Sequence, residues 1–183
     1  MEGRLCCGMA CLSISRKREA RKMAKTRVLF VCLGNICRSP MAEMIFRDML
    51  QKNGLAEAVE ADSAATSTEE LGNPIYPPAR AELRRRGVPC LPHAARVMRR
   101  EDYAAYDLLI GMENRNLRAM ERIAGGDPKG KMYRLMDFTA RPGDVADPWY
   151  TGDFSAAYRD IREGCEGLLR FLAARDPARD ERP

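Results

Sequence analysis

The sequence predicts an α/β fold in one domain, with a parallel sheet between layers of helices. Three observations lead there. Short apolar or β-branched runs at 26–32, 57–62, 107–112 and 131–135 alternate with longer amphipathic stretches, the pattern of strands joined by helical crossovers. Helix stop signals, Asn53-Gly54, Gly87 and Gly125-Gly126, fall where those stretches end. A length of 183 residues with 45% apolar content allows a sizeable core without disulfides or a structural metal. Four parallel strands between two helical layers make a flavodoxin-like three-layer arrangement. Open sheets of this kind carry their site at the carboxyl ends of the strands.

The elements follow in chain order. Val28-Leu29-Phe30-Val31 forms the heart of the first strand, and a helix covers 39–52. The second strand, 57–62, alternates weakly. Small and polar residues at 63–70 read as a loop, and 72–78 as turn chemistry. A helix at 79–86 ends in Arg84-Arg85-Arg86, where cations suit the helix dipole. Residues 91–96 form a loop, 100–106 a short helix and 107–112 a third, buried strand. A helix covers 114–123 and the fourth strand 131–135. The turn-rich segment 137–147 is irregular, and a long final helix spans 153–174.

Charge divides the chain. Residues 1–25 hold seven Lys/Arg and two Asp/Glu, so this segment carries the whole net charge of +5. It reads as a basic, disordered leader or an over-long start before Met23, and 176–183 as a frayed, charged tail. Residues 26–183 are neutral by count, which argues against nucleic-acid or membrane-surface partners. No apolar run is long enough to cross a membrane. The seven cysteines (6, 7, 11, 32, 37, 90, 165) show neither a paired framework nor zinc-ligand spacing. They suit a reducing, cytoplasmic setting, and the chain is expected to be a monomer.

The chemistry concentrates between the first strand and the first helix, in Cys32-Leu33-Gly34-Asn35-Ile36-Cys37-Arg38-Ser39-Pro40. A Cys, five residues and then Arg-Ser, placed between strand and helix, lets backbone N–H groups wrap a tetrahedral oxyanion above a helix N-terminus. A sulfur at the floor of that cup is favoured as the thiolate nucleophile. Arg38 offers a planar fork to two phosphate oxygens. Ser39 is placed to donate to the sulfur, and Pro40 is expected at the first helical position, where its missing N–H is harmless. Asn35 suits a left-handed backbone position. Cys37 is either a small packed side chain or the partner of a reversible disulfide with Cys32.

This loop resembles the phosphate loop of low-molecular-weight protein tyrosine phosphatases. The resemblance extends over roughly 26–175, through Asp62-Ser63-Ala64-Ala65-Thr66-Ser67-Thr68, Gly72-Asn73-Pro74 and Asp147-Pro148. It implies a catalytic set of Cys32, Arg38 and Asp147, with Asp147 as general acid. The phosphate-binding residues are then Leu33 to Ser39, with Gly34, Asn35, Ile36 and Cys37 between them. It further implies that His93 supports Asn35, and that Trp149 and Tyr150 line one cleft wall. Many members have an aromatic residue near Glu69, so a carboxylate at this cleft position departs from the pattern and disfavours very acidic peptides. No metal or organic cofactor is implied, and the expected partner is a phosphotyrosine-containing protein or peptide.

Three other readings share features with this one. A phosphoarginine phosphatase has the same fold, but its members carry Thr where Ile36 stands. A thioredoxin-linked arsenate reductase needs further cysteines delivered to Cys32, and Cys90 has no second Cys beside it. A non-catalytic phosphate-binding module would not need the Cys32, Arg38 and Asp147 set. Ile36 is apolar and stiff. It should offer a fixed wall at the cleft mouth, which suits a phenyl ring better than a guanidinium.

Overall fold

A computed structural model describes residues 25–175 of the chain. The basic leader, apart from Lys25, and the tail at 176–183 lie outside the described residues. Four strands form one sheet: β1 (Thr26–Cys32), β2 (Val59–Ala65), β3 (Leu108–Gly111) and β4 (Met132–Arg134). Their order is β2-β1-β3-β4 and every pairing is parallel. The expected α/β class and four-stranded parallel sheet are both present.

The strand at the centre shows why this chain makes layers. In β1, Val28, Leu29, Phe30 and Val31 are all fully buried. Side chains alternate across a strand. Val28, Phe30 and Cys32 accordingly enter one core, with Ile45, Phe46 and Ile161. Leu29 and Val31 enter the other, with Tyr106, Leu109 and Met120. The first core is roofed by α1 (Arg38–Lys52), α2 (Pro77–Arg85) and α6 (Phe154–Arg175). The second is covered by α3 (Asp102–Ala105) and α4 (Asn114–Ala124). Among the described residues no helix is long and apolar enough to cross a membrane.

Two departures from the sequence reading matter for the site. The second strand does not stop at Asp62 but runs to Ala65, in register with Cys32. Its last residues, Ser63-Ala64-Ala65, have low strand propensity, but pairing with β1 and burial override that preference. Ala65 also pairs with Val97 on its other side. A 3-10 turn, Leu135–Phe138, begins on the last residue read as the fourth strand and runs into the segment read as irregular, which is followed by a short helix, α5 (Pro148–Thr151). Gly167 of α6 lets that turn sit tightly against it, since a Cβ there would lie 2.1 Å from the Phe138 carbonyl oxygen. This contact anchors the chain that leads to Asp147.

Candidate active site

β1 ends at Cys32 on the carboxyl edge of the sheet, and five residues later α1 begins at Arg38. The Cys32 sulfur accepts the Asn35 backbone N–H at 3.3 Å and lies 3.1 Å from the Ser39 hydroxyl oxygen. That hydroxyl already accepts a hydrogen bond from Asn35 Nδ2 at 2.9 Å, so its own proton can be directed at the sulfur.

Asn35 is the hinge of the loop. Its φ of 56° is left-handed, and among the described residues it is the one non-glycine residue with a positive φ. Asn tolerates this region better than most residues. The side chain also donates to Ser63 Oγ at 2.8 Å, and its Oδ1 accepts the Arg96 backbone N–H at 3.0 Å. The His93 ring nitrogen Nε2 donates to the Asn35 carbonyl at 2.7 Å. Ser63 in turn donates to Glu43 at 2.7 Å.

The loop carbonyls are engaged by surrounding segments. Thr66 and Ser67 donate to the Leu33 carbonyl, His93 to that of Asn35, Tyr76 to that of Ile36 and Met41 to that of Cys37. In a trans peptide plane the next residue's N–H faces the opposite way. The N–H groups of Gly34, Ile36, Cys37 and Arg38 are thereby turned from those partners. This is the arrangement an oxyanion cradle requires.

Arg38 is almost fully buried. Its Nη2 lies 2.7 Å from Asp147 Oδ2 and 3.1 Å from Glu113 Oε1. Its Nη1 is buried without a hydrogen-bond partner. Glu113 also pairs with Arg115 at 3.2 Å. Asp147 caps α5, its Oδ1 accepting the Trp149 N–H at 3.1 Å, and Pro148 begins the helix. The Trp149 ring leans on Tyr76, centroids 5.4 Å apart.

Cys32, Leu33, Gly34, Ile36, Cys37 and Arg38 line a cleft of about 260 Å³ together with Glu69, Glu70, Asp147, Trp149 and Tyr150. Asn35, Ser39 and His93 lie behind the wall and support it. Ile36 is mostly buried against Cys37 and Ala95 and shows one edge to the cleft. A larger groove of about 740 Å³ between α1 and β2 contains none of the cysteine, arginine and aspartate set. Burial, then the nearby Cys32 and Asp147, push the Cys37 thiol up to about 12, so Cys37 is a neutral thiol at physiological pH. Among the described residues no group of three or more His, Cys, Asp or Glu could hold a metal ion.

Sequence reasoning missed Glu113, Ser63, Glu43, Glu70 and Tyr76. Glu113 had one usable signal: it lies two residues past the third strand, at the carboxyl edge where such sheets carry their sites. Ser63, Glu70 and Tyr76 reach the loop from distant segments, and Glu43 supports it only through Ser63; no local pattern marks them.

A parallel α/β sheet with a Cys-x5-Arg-Ser loop at its carboxyl edge, and an aspartate salt-bridged to the loop arginine, is the framework of a phosphatase. The model of the low molecular weight phosphotyrosine protein phosphatase family matches residues 27–178, and the chain belongs to that family. It is 42% identical over 147 residues to low molecular weight protein-tyrosine-phosphatase YfkJ of Bacillus subtilis, covering 79% of this chain and 94% of the relative. The human low molecular weight phosphotyrosine protein phosphatase is 36% identical over 153 residues, covering 81% of this chain and 96% of the relative. The crystal structure of YfkJ superposes with a TM-score of 0.80 at 39% identity, over 82% of this chain and 96% of that one. The Drosophila arginine phosphatase DARP superposes with a TM-score of 0.74 at 30% identity, over 81% of this chain and 99% of that one.

Proposed function

We propose that this protein hydrolyses phosphotyrosine in protein substrates through a cysteinyl-phosphate intermediate. Cys32 attacks phosphorus in line, the P–O bond to the tyrosine breaks, and Asp147 gives its proton to the departing phenolate. Water then attacks phosphorus as the S–P bond breaks, with Asp147 taking its proton, and inorganic phosphate leaves with the Cys32 thiolate restored. Arg38 and the loop N–H groups hold the equatorial oxygens through both steps. One observation carries the reading: the nucleophile sulfur, an arginine with a free buried Nη1, and the Asp147 carboxylate converge on one cleft. The unpaired state of the four described cysteines, Cys32, Cys37, Cys90 and Cys165, supports a reducing, cytoplasmic setting.

A second reading, phosphoarginine hydrolysis, draws on the likeness to DARP. Ile36 argues against it. An apolar edge at the mouth of a cleft also lined by Trp149 and Tyr150 suits the faces of a phenyl ring. A guanidinium edge turned to Ile36 would find no acceptor on that side chain. Arsenate reduction gains nothing from Cys90, which packs against the main core and does not line the cleft. The test is turnover of phosphotyrosine, phosphoserine and phosphoarginine peptides of one sequence, side by side. Phosphotyrosine should be hydrolysed fastest by a wide margin. A preference for phosphoarginine would replace the reading.

A further inference from the structure

We propose that Glu69 and Glu70 form an acidic lip that selects phosphotyrosine lying in a basic, apolar stretch of the protein substrate. This rests on the phosphotyrosine reading above and names the class of segment that carries the residue.

The two carboxylates differ from the others in the cleft. Asp147 and Glu113 are both engaged by Arg38, and Glu113 holds Arg115 as well. Glu69 and Glu70 line the same cleft, and neither forms a salt bridge among the described residues. Glu70 Oε2 accepts a hydrogen bond from the neutral Asn73 amide at 2.7 Å, which orients the carboxylate and leaves its charge uncancelled.

The lip is also built in. A Cβ on Gly34 would lie 3.0 Å from Glu70 Cγ, so the glutamate stem rests on the phosphate loop itself. The chain on either side is fastened, Thr66 and Ser67 donating to the Leu33 carbonyl and Gly72 to that of Ala95. The negative charge therefore has a fixed place beside the bound phosphoryl group.

Apolar surface surrounds it. The exposed large apolar side chains among the described residues are Leu33, Leu71, Leu91, Trp149 and Tyr150. Three of the five line this cleft, and Leu71 directly follows Glu70. Such clustering marks a contact surface rather than scattered exposure. A substrate whose phosphate lies deep at Arg38 must pass its flanking residues over this rim. Lys or Arg there would meet two uncompensated carboxylates, and Asp or Glu would be repelled by them.

The experiment compares two phosphotyrosine peptides of equal length, one flanked by Lys and Leu and the other by Asp and Leu. Each kcat/KM is taken relative to the same protein's p-nitrophenyl phosphate turnover. Exposed charge pairs are individually weak, so the native protein should favour the basic peptide by roughly tenfold at low salt. The preference should fall to about threefold in Glu69→Gln or Glu70→Gln, and close to one in the double variant. It should also collapse in the native protein as salt rises from about 50 mM to about 500 mM, which needs no variant to fold. Equal rates on both peptides, or a preference that survives the double substitution or high salt, overturns the acidic lip while leaving the phosphotyrosine reading standing. Hydrolysis of p-nitrophenyl phosphate with neither peptide touched would overturn that reading, and this inference with it.

Discussion

The phosphate loop hides its polar groups, whereas the segment bearing Asp147 leaves its aromatics in solvent. Asn35 and Ser39 are fully buried and Arg38 is 4% exposed, but Trp149 is 57% and Tyr150 75% exposed. Asn35 alone is held by Ser39, Ser63, Arg96 and His93, which together keep a left-handed residue in place. Asp147 is held by one ion pair and one helix cap, and Trp149 by a ring contact with Tyr76. Under the proposed mechanism, with Cys32 as nucleophile and Asp147 as acid, the difference follows from the two tasks. Backbone dipoles stabilise a developing charge only if they are already aligned, so the nucleophile half must be rigid. The acid half must meet substrates of varied shape, so few contacts and open aromatic faces suit it.

The sharpest way to break the comparison is to remove the nucleophile from its rigid frame. Cys32→Ser should abolish steady-state hydrolysis while phosphate still binds, because Arg38 and the loop N–H groups remain. Calorimetric titration with phosphate, alongside turnover, checks both halves; sustained turnover would take the nucleophile role from Cys32.

Asp147→Asn acts on the other half. It should slow aryl phosphate hydrolysis by roughly 10²–10⁴-fold, the usual range for loss of a general acid. The deficit should shrink as the leaving group becomes more acidic and needs less protonation. A uniform deficit across a leaving-group series would instead make Asp147 a partner that merely orients Arg38.

Ile36→Thr tests where the frame meets the substrate. A hydroxyl there can pair with a guanidinium donor, and an unpaired polar group costs about 1–3 kcal/mol. The phosphotyrosine to phosphoarginine ratio of kcat/KM should drop by about tenfold to a hundredfold. An unmoved ratio would show that Ile36 does not select.

Asn35→Ala removes the bonds at the hinge and leaves the strained backbone. Lost hydrogen bonds and an αL alanine together should destabilise the fold by about 2–4 kcal/mol. Denaturant unfolding measures this. A change under about 0.5 kcal/mol would mean that the loop does not depend on the Asn35 network.

The smallest effect concerns Cys37. As a neutral thiol it should contribute little to turnover, and Cys37→Ser should change kcat/KM about twofold or less. Its trapping of peroxide-oxidised Cys32 as a disulfide requires the thiolate. Below a value of about 12 the thiolate fraction rises about tenfold per pH unit, so trapping should accelerate by about a hundredfold from pH 7 to 9. Mass spectrometry of quenched samples follows the disulfide. A flat rate over that range would show that Cys37 is not the attacking group.

How much of this was legible depended on sequence distance. The sequence by itself determined the strand, loop and helix around Cys32, because apolar runs, Gly and Pro act on backbone dihedrals within a few residues. It also determined the Asp147-Pro148 turn. The resemblance in the loop then pointed to Arg38, Asp147, Trp149 and Tyr150, and the structure brings all four to one cleft with Cys32. The reach of β2 to Ala65 was illegible, since Ser63-Ala64-Ala65 becomes strand only through pairing with β1. Glu113 on Arg38, Ser63 on Asn35 and Glu70 against Gly34 were decided by the tertiary structure alone. Ser63 lies 28 residues from Asn35 and Glu113 lies 75 from Arg38. A side chain carries no local mark of a partner that far along the chain. Only the parallel register, which sets the strand ends side by side, brings such groups within hydrogen-bond reach.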